Sequence, residues 1–168
     1  MIQKKVCMMG YFSVGKTSLL SQYAHSIFSE KYLTTVGVKV DKKVVTIGSQ
    51  DVTLMLWDIE GEDKFCKLKK HYLRGVSGYI LVADISRKNS LDKAIELSDK
   101  MVENYGNIPF TLALNKSDLT SQREITDYQV KELLNKGWDV IFTSAKNGKG
   151  VESVFNDLAE KMLLSDVG

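Results

Sequence analysis

Two cysteines, Cys7 and Cys66, are all that the sequence carries. They are too few for a disulfide framework, and they read as reduced thiols of the cytosol, with Cys7 a small core residue inside an apolar run. Long hydrophobic runs are lacking too, so no segment approaches the ~20 apolar residues of a membrane span. The opening stretch, MIQKKVCMMG, has neither the apolar region nor the small-residue cleavage site of a secretory signal. Ile2 excludes myristoylation, and with no cysteine after Cys66 this chain offers no site for prenylation. Charge of one sign is scarce: a net +2 gives no case for nucleic-acid binding. Internal repeats, linkers and low-complexity tracts are absent. What remains is a chain of 168 residues, 43% hydrophobic and 26% charged, values ordinary for one globular domain spanning 1–168. A cytoplasmic monomer is expected, peripheral to a membrane only if a lipidated tail lies beyond this sequence.

Short apolar runs alternate with helical patterns. VCMMG (Val6 to Gly10) reads as the end of a buried strand and Lys16 to His25 as a helix. Val38 to Ile47 and Asp51 to Trp57 alternate around Gly48-Ser49-Gln50, the pattern of an antiparallel hairpin. YILVAD (Tyr79 to Asp84), FTLALN (Phe110 to Asn115) and DVIFTSA (Asp139 to Ala145) are near-continuous apolar runs, as strands buried on both faces should be. Helical patterns occupy Ser90 to Tyr105, Thr126 to Asn135 and Val151 to Leu164. The expectation is an α/β fold with a mainly parallel sheet covered by helices on both faces. Ligands bind such sheets at the carboxyl ends of the strands, and the polar clusters follow the strands.

GYFSVGKT, Gly10 to Thr17, fits the phosphate-loop pattern G-x-x-x-x-G-K-[ST] between a strand and a helix. Its glycines let the loop turn its N–H groups toward phosphate oxygens, and the helix N-terminus adds positive partial charge. Lys16 is spaced to reach the β- and γ-phosphates, and Thr17 to offer a hydroxyl to Mg²⁺. Asp58 ends a strand, where a carboxylate can hold a magnesium-bound water. Gly61 in WDIEGED would present its N–H to the γ-phosphate. A D-x-x-G sequence is weak by itself and gains weight from following a phosphate loop.

NKSD, Asn115 to Asp118, also follows a buried strand. Asp118 could accept two hydrogen bonds from guanine, whereas adenine would leave that carboxylate unpaired, so the site would discriminate strongly. Lys116 and the ring of Phe28 could sandwich the base. SAK, Ser144 to Lys146, ends the next strand and could add a backbone N–H to the guanine oxygen. Alone, NKSD would read as a polar turn.

Together these residues resemble the Ras superfamily of small GTPases, and most of all its Rab branch. The similarity runs from Lys4 to Leu163 through GYFSVGKTSLL, YLTTVGVKV, LMLWDIEGED, YLRGVSGYILVADIS, NKSD and TSAK in family order. It implies a P-loop G domain with a six-stranded sheet, one strand antiparallel. It further implies GTP or GDP bound with Mg²⁺. Ser13, Val14, Gly15, Lys16, Thr17 and Ser18 would face the phosphates, and Phe28, Asn115, Lys116, Asp118, Ser144, Ala145 and Lys146 the base. Thr17, Thr35 and, through water, Asp58 would serve the metal. Lys16, Thr35, Gly61 and the residue after it would take part in hydrolysis. In the family, the γ-phosphate holds Thr35 and Gly61, and hydrolysis releases both loops. Effectors and exchange factors would read switch I (Phe28 to Val38) and switch II (Asp58 to Gly75).

The sequence departs from the family at two places. Glu62 stands where glutamine usually orients the attacking water. An ionised carboxylate only accepts. Either repulsion from the γ-phosphate turns Glu62 outward, leaving slow hydrolysis, or burial keeps it protonated so that it donates as glutamine does. The first is favoured, because Glu60 and Asp63 already load the loop with negative charge. Phe12 is the second departure: a ring at this position of the P-loop could block an arginine finger arriving in trans. The basic run at Lys64, Lys67, Lys69, Lys70 and Arg74 reads first as a solvated helix face and second as a dock for an acidic partner. His71 has no evident ligand partner and reads as a structural or surface residue. Three function classes follow: a slow GTPase switch, a pseudo-GTPase that holds nucleotide with negligible turnover, and an adenine-nucleotide P-loop enzyme. The last leaves NKSD and TSAK without a purpose.

Overall fold

The structure is a computed structural model that describes residues 1–24, 38–59 and 70–168, and the backbone of 30–33. Among these residues seven strands form one sheet: β1 Ile2–Gly10, β2 Glu30–Leu33, β3 Val38–Ile47, β4 Gln50–Ile59, β5 Gly78–Asp84, β6 Phe110–Asn115 and β7 Val140–Phe142. The helices are α1 Lys16–Ala24, α2 Lys70–Leu73, α3 Lys88–Tyr105, α4 Asp127–Asn135 and α5 Val151–Ser165. Across the sheet the order is β2-β3-β4-β1-β5-β6-β7. Strand β3 pairs antiparallel with both β2 and β4, and every other pairing is parallel. A single strand therefore runs against the rest, as expected. The short edge strand β2 joins the six that the family resemblance implies.

The apolar runs are two-faced because successive side chains of a strand point to opposite sides. Val6, Met8, Ile80 and Val82 face Leu19, Leu20, Val154, Phe155, Leu158 and Met162 of α1 and α5. Cys7, Met9, Tyr79, Leu81 and Ala83 face Leu91, Leu97, Met101 and Leu133 of α3 and α4. Cys7 is fully buried, as its setting predicted, and burial pushes its thiol up to about 12.

The hairpin is tighter than the sequence suggested. Gln50 already pairs with Ile47, leaving a two-residue turn whose first residue, Gly48, has φ 62. Strand β7 is shorter than the DVIFTSA run: Thr143 still donates its N–H to the Leu114 carbonyl of β6, but Ser144 turns to the Lys149 carbonyl and builds the loop beyond. Strand order reverses direction at β1 and β5: from β1 the chain builds the β2–β4 side, then crosses to β5. Such a switch point opens a crevice at the carboxyl edge, and the loop from Gly10 to Thr17 lies there.

Candidate functional site

Four segments that end strands meet at this edge, and Asn115 ties three of them. Its side chain, 1% exposed, donates from Nδ2 to the Val14 carbonyl at 3.0 Å. Its Oδ1 accepts from the Thr143 hydroxyl at 3.1 Å and from the Ala145 N–H at 3.2 Å. The P-loop, the NKSD strand end and the TSAK loop are thus fixed to one buried amide. Gly15, at φ 98, is required here twice over: a Cβ would sit 2.3 Å from Asn115 Nδ2, and the backbone conformation itself favours glycine. At Gly10 a Cβ would meet the Val82 carbonyl at 2.4 Å, so β1 and β5 close up where the loop begins.

Lys16 and Thr17 open α1. The Lys16 ammonium folds over the loop and donates to the Gly10 carbonyl at 2.7 Å. The Thr17 hydroxyl donates to Asp58 Oδ2 at 2.6 Å, although Asp58 lies at the end of a different strand and is 1% exposed. A hydroxyl and a carboxylate so placed are hard oxygen donors of the kind Mg²⁺ takes, one or two from protein and the rest from phosphate and water. Among the described residues no group of three or more His, Cys, Asp or Glu could hold a metal alone. A magnesium ion at Thr17 and Asp58 would take its other ligands from phosphate oxygens and water, as Mg²⁺ commonly does. The Val14 side chain is fully buried, so only its peptide groups can serve a ligand.

Lys116 sits at φ 61 and donates to the Ser13 carbonyl at 3.0 Å. Its ammonium also pairs with the buried Asp84 carboxylate at 3.0 Å. Burial alone would raise the Asp84 pKa. Hydrogen bonds from the Ser86 hydroxyl and amide, together with Lys116, outweigh burial and hold this carboxyl below its ordinary value. Asp84 was not singled out in the sequence, although it ends a buried strand much as Asp58 stands next to the end of β4. That repetition was the available signal.

Asp118 is exposed, and the buried Ser144 hydroxyl donates to its Oδ1 at 2.8 Å, fixing the carboxylate's direction. Gly15 and Ser18 of the P-loop line the same cavity, of about 380 Å³, as Lys116, Asp118, Ala145 and Lys146. Phosphate-type and base-type groups, far apart in sequence, face one space. The arrangement can present inward N–H groups and cations to an anion at one end and an acceptor carboxylate to a heterocycle at the other. Phe28, Thr35, Gly61 and Glu62 lie outside the described residues, as do most of the two switch segments and Lys64, Lys67 and Lys69. Lys70, His71 and Arg74 are exposed, consistent with a solvated face.

These features define a phosphate-loop fold with a cavity at the carboxyl edge of its sheet, and comparison with known proteins gives its class. A family model described as "Ras family" matches residues 5–164. The chain belongs to the Ras family, whose superfamily members are GTP-binding switches. It is 36% identical to the mouse Ras-related protein Rab-17 over 162 residues, covering 95% of this chain and 75% of that protein. It is 34% identical to human Ras-related protein Rab-21 over 161 residues, covering 95% and 72%. A Dictyostelium discoideum GTP-binding protein Rheb homolog is 32% identical over 169 residues, covering 98% and 90%. No described helix is long and apolar enough to cross a membrane.

Proposed function

We propose that residues 1–168 form one G domain that binds GTP and GDP with Mg²⁺ and hydrolyses GTP slowly, reporting its state to effectors and exchange factors through the two switch segments. The observation that carries this reading is the shared cavity: P-loop Gly15 and Ser18 line the same space as Asp118 and Ala145. In the mechanism, N–H groups of residues 13–18 hold the phosphates, and Lys16 leaves the Gly10 carbonyl to meet the β- and γ-oxygens. Thr17 and Asp58 would hold the magnesium, Asp58 through water, which neutralises phosphate charge when bound. Asp118, steadied by Ser144, accepts from N1–H and the exocyclic amine of guanine. Lys116 and Phe28 flank the base, and the backbone of 144–146 donates to its oxygen. Thr35 and Gly61 sense the γ-phosphate. Glu62, acceptor-only when ionised, cannot orient water as glutamine does, which makes turnover slow. Phe12 adds bulk at the outer turn of the P-loop, its ring 4.4 Å from that of Tyr11, and hinders a finger arriving in trans. The protein works in the cytosol, as its thiols and apolar pattern suggest.

The test is to denature freshly purified protein and identify what is released, alongside titration with fluorescent GDP and ADP. Released GDP with a strong preference for GDP over ADP is the expected result. Released GTP that persists over hours points to a pseudo-GTPase. A preference for ADP rejects the guanine reading.

A further inference from the structure

Two carbonyls of the P-loop, those of Ser13 and Val14, accept hydrogen bonds from Lys116 and Asn115 respectively. The carbonyl before them is held as well. Arg87, the residue preceding α3, donates from Nη1 to the Phe12 carbonyl at 2.7 Å. Its guanidinium lies 4.8 Å from the ring centre of Phe12 and 5.3 Å from that of Tyr11, so the two rings confine it. In a trans peptide the C=O of one residue and the N–H of the next point in opposite directions. With the carbonyls of Phe12, Ser13 and Val14 engaged by these three donors, the N–H groups of Ser13, Val14 and Gly15 point away from them, where the phosphates of the proposed ligand would lie.

Arg87 breaks two local rules at its position. As the N-cap of α3 it makes no side-chain cap, where Ser, Thr, Asp or Asn would supply one. A cation is also disfavoured at a helix N-terminus. A residue that violates both rules while making a charge-assisted bond 75 positions away in the chain is placed for that bond.

We infer that Arg87 is a positioning residue of the phosphate loop: it fixes the Phe12 peptide so that the Ser13 N–H faces the β- and γ-phosphates of the bound nucleotide. This rests on the guanine-nucleotide reading above. The test is calorimetric titration of GDP and of GMP, with excess Mg²⁺, into wild-type protein, Arg87→Met and Arg87→Lys. Loss of one charge-assisted hydrogen bond should weaken GDP on the order of tenfold in Arg87→Met. GMP, which lacks the phosphates that this part of the loop cradles, should weaken by a clearly smaller factor. Arg87→Lys keeps a cationic donor and should recover part of the GDP loss. Should Arg87→Met fail to fold, Arg87→Gln supplies the neutral variant. Unchanged GDP affinity in the neutral variant, or equal weakening of GDP and GMP, overturns the inference. Wild-type protein that does not bind GDP overturns the parent reading instead, so the two failures are distinct.

Discussion

Ser13 and Lys116 are the two non-glycine residues held at positive φ among the described residues, at 58° and 61°, and they are bonded to each other. The Lys116 ammonium donates to the Ser13 carbonyl at 3.0 Å across 103 positions of sequence. Left-handed conformations of this kind cost about 1–3 kcal/mol and persist where surrounding contacts impose them. Here the strain lies on both sides of one hydrogen bond between the P-loop and the NKSD segment.

Relieving that strain should show in stability. Ser13 is exposed, so its side chain has little packing to lose. Ser13→Gly should leave stability unchanged or raise it by up to ~1 kcal/mol, while β-branched Ser13→Val should lower it by more than ~1 kcal/mol. Urea unfolding of the two variants measures the difference. A glycine variant less stable than the valine one would show that the conformation carries no strain.

Asn115 should matter more than its three hydrogen bonds taken singly, because they join three separate segments. Asn115→Ala is expected to cost about 2–4 kcal/mol and to speed GDP release greatly. Thr143→Val removes one of those bonds and should cost about 1 kcal/mol with little change in release. Stopped-flow displacement of fluorescent GDP compares them, and equal effects would mean that Asn115 is not the common anchor.

Acid should weaken the site through Asp84. Its folded pKa lies below the ordinary carboxylate value, so the stability it contributes is present above the unfolded pKa, near 3.8, and is lost as pH falls through the folded one. Wild-type stability should therefore fall more steeply below about pH 4 than that of Asp84→Asn, which has no carboxyl to protonate there. Denaturant unfolding from pH 6 to pH 3 reads the slopes, and parallel curves would refute the assignment.

In the proposed mechanism, the rate of hydrolysis turns on Glu62. Restoring glutamine should accelerate single-turnover hydrolysis of preloaded GTP by about tenfold or more, since a side chain that both donates and accepts can orient the water. If Glu62→Gln is no faster than wild type, the carboxylate is not what limits the rate.

Much of the site was legible because its motifs are local. A P-loop needs glycines and a lysine at fixed spacing, since the turn and the helix that follows are made by consecutive residues. The strand ends at Gly10, Asp84 and Asn115 could be read from apolar runs that stop at a polar or glycine residue. The edge strand Glu30–Leu33 was not legible, being short and paired on one side only.

The sequence by itself determined the two-faced sheet and the local segments GYFSVGKT and NKSD that follow its strands, because period-two burial and short-range turn chemistry are written in neighbouring residues. Only the tertiary structure decided that Asn115 holds Val14, that Thr17 meets Asp58, that Asp84 steadies Lys116 and that Arg87 reaches Phe12. Those partners are 32 to 101 positions apart. Their distances follow from strand order, register and helix packing, which long-range burial sets and no local pattern encodes.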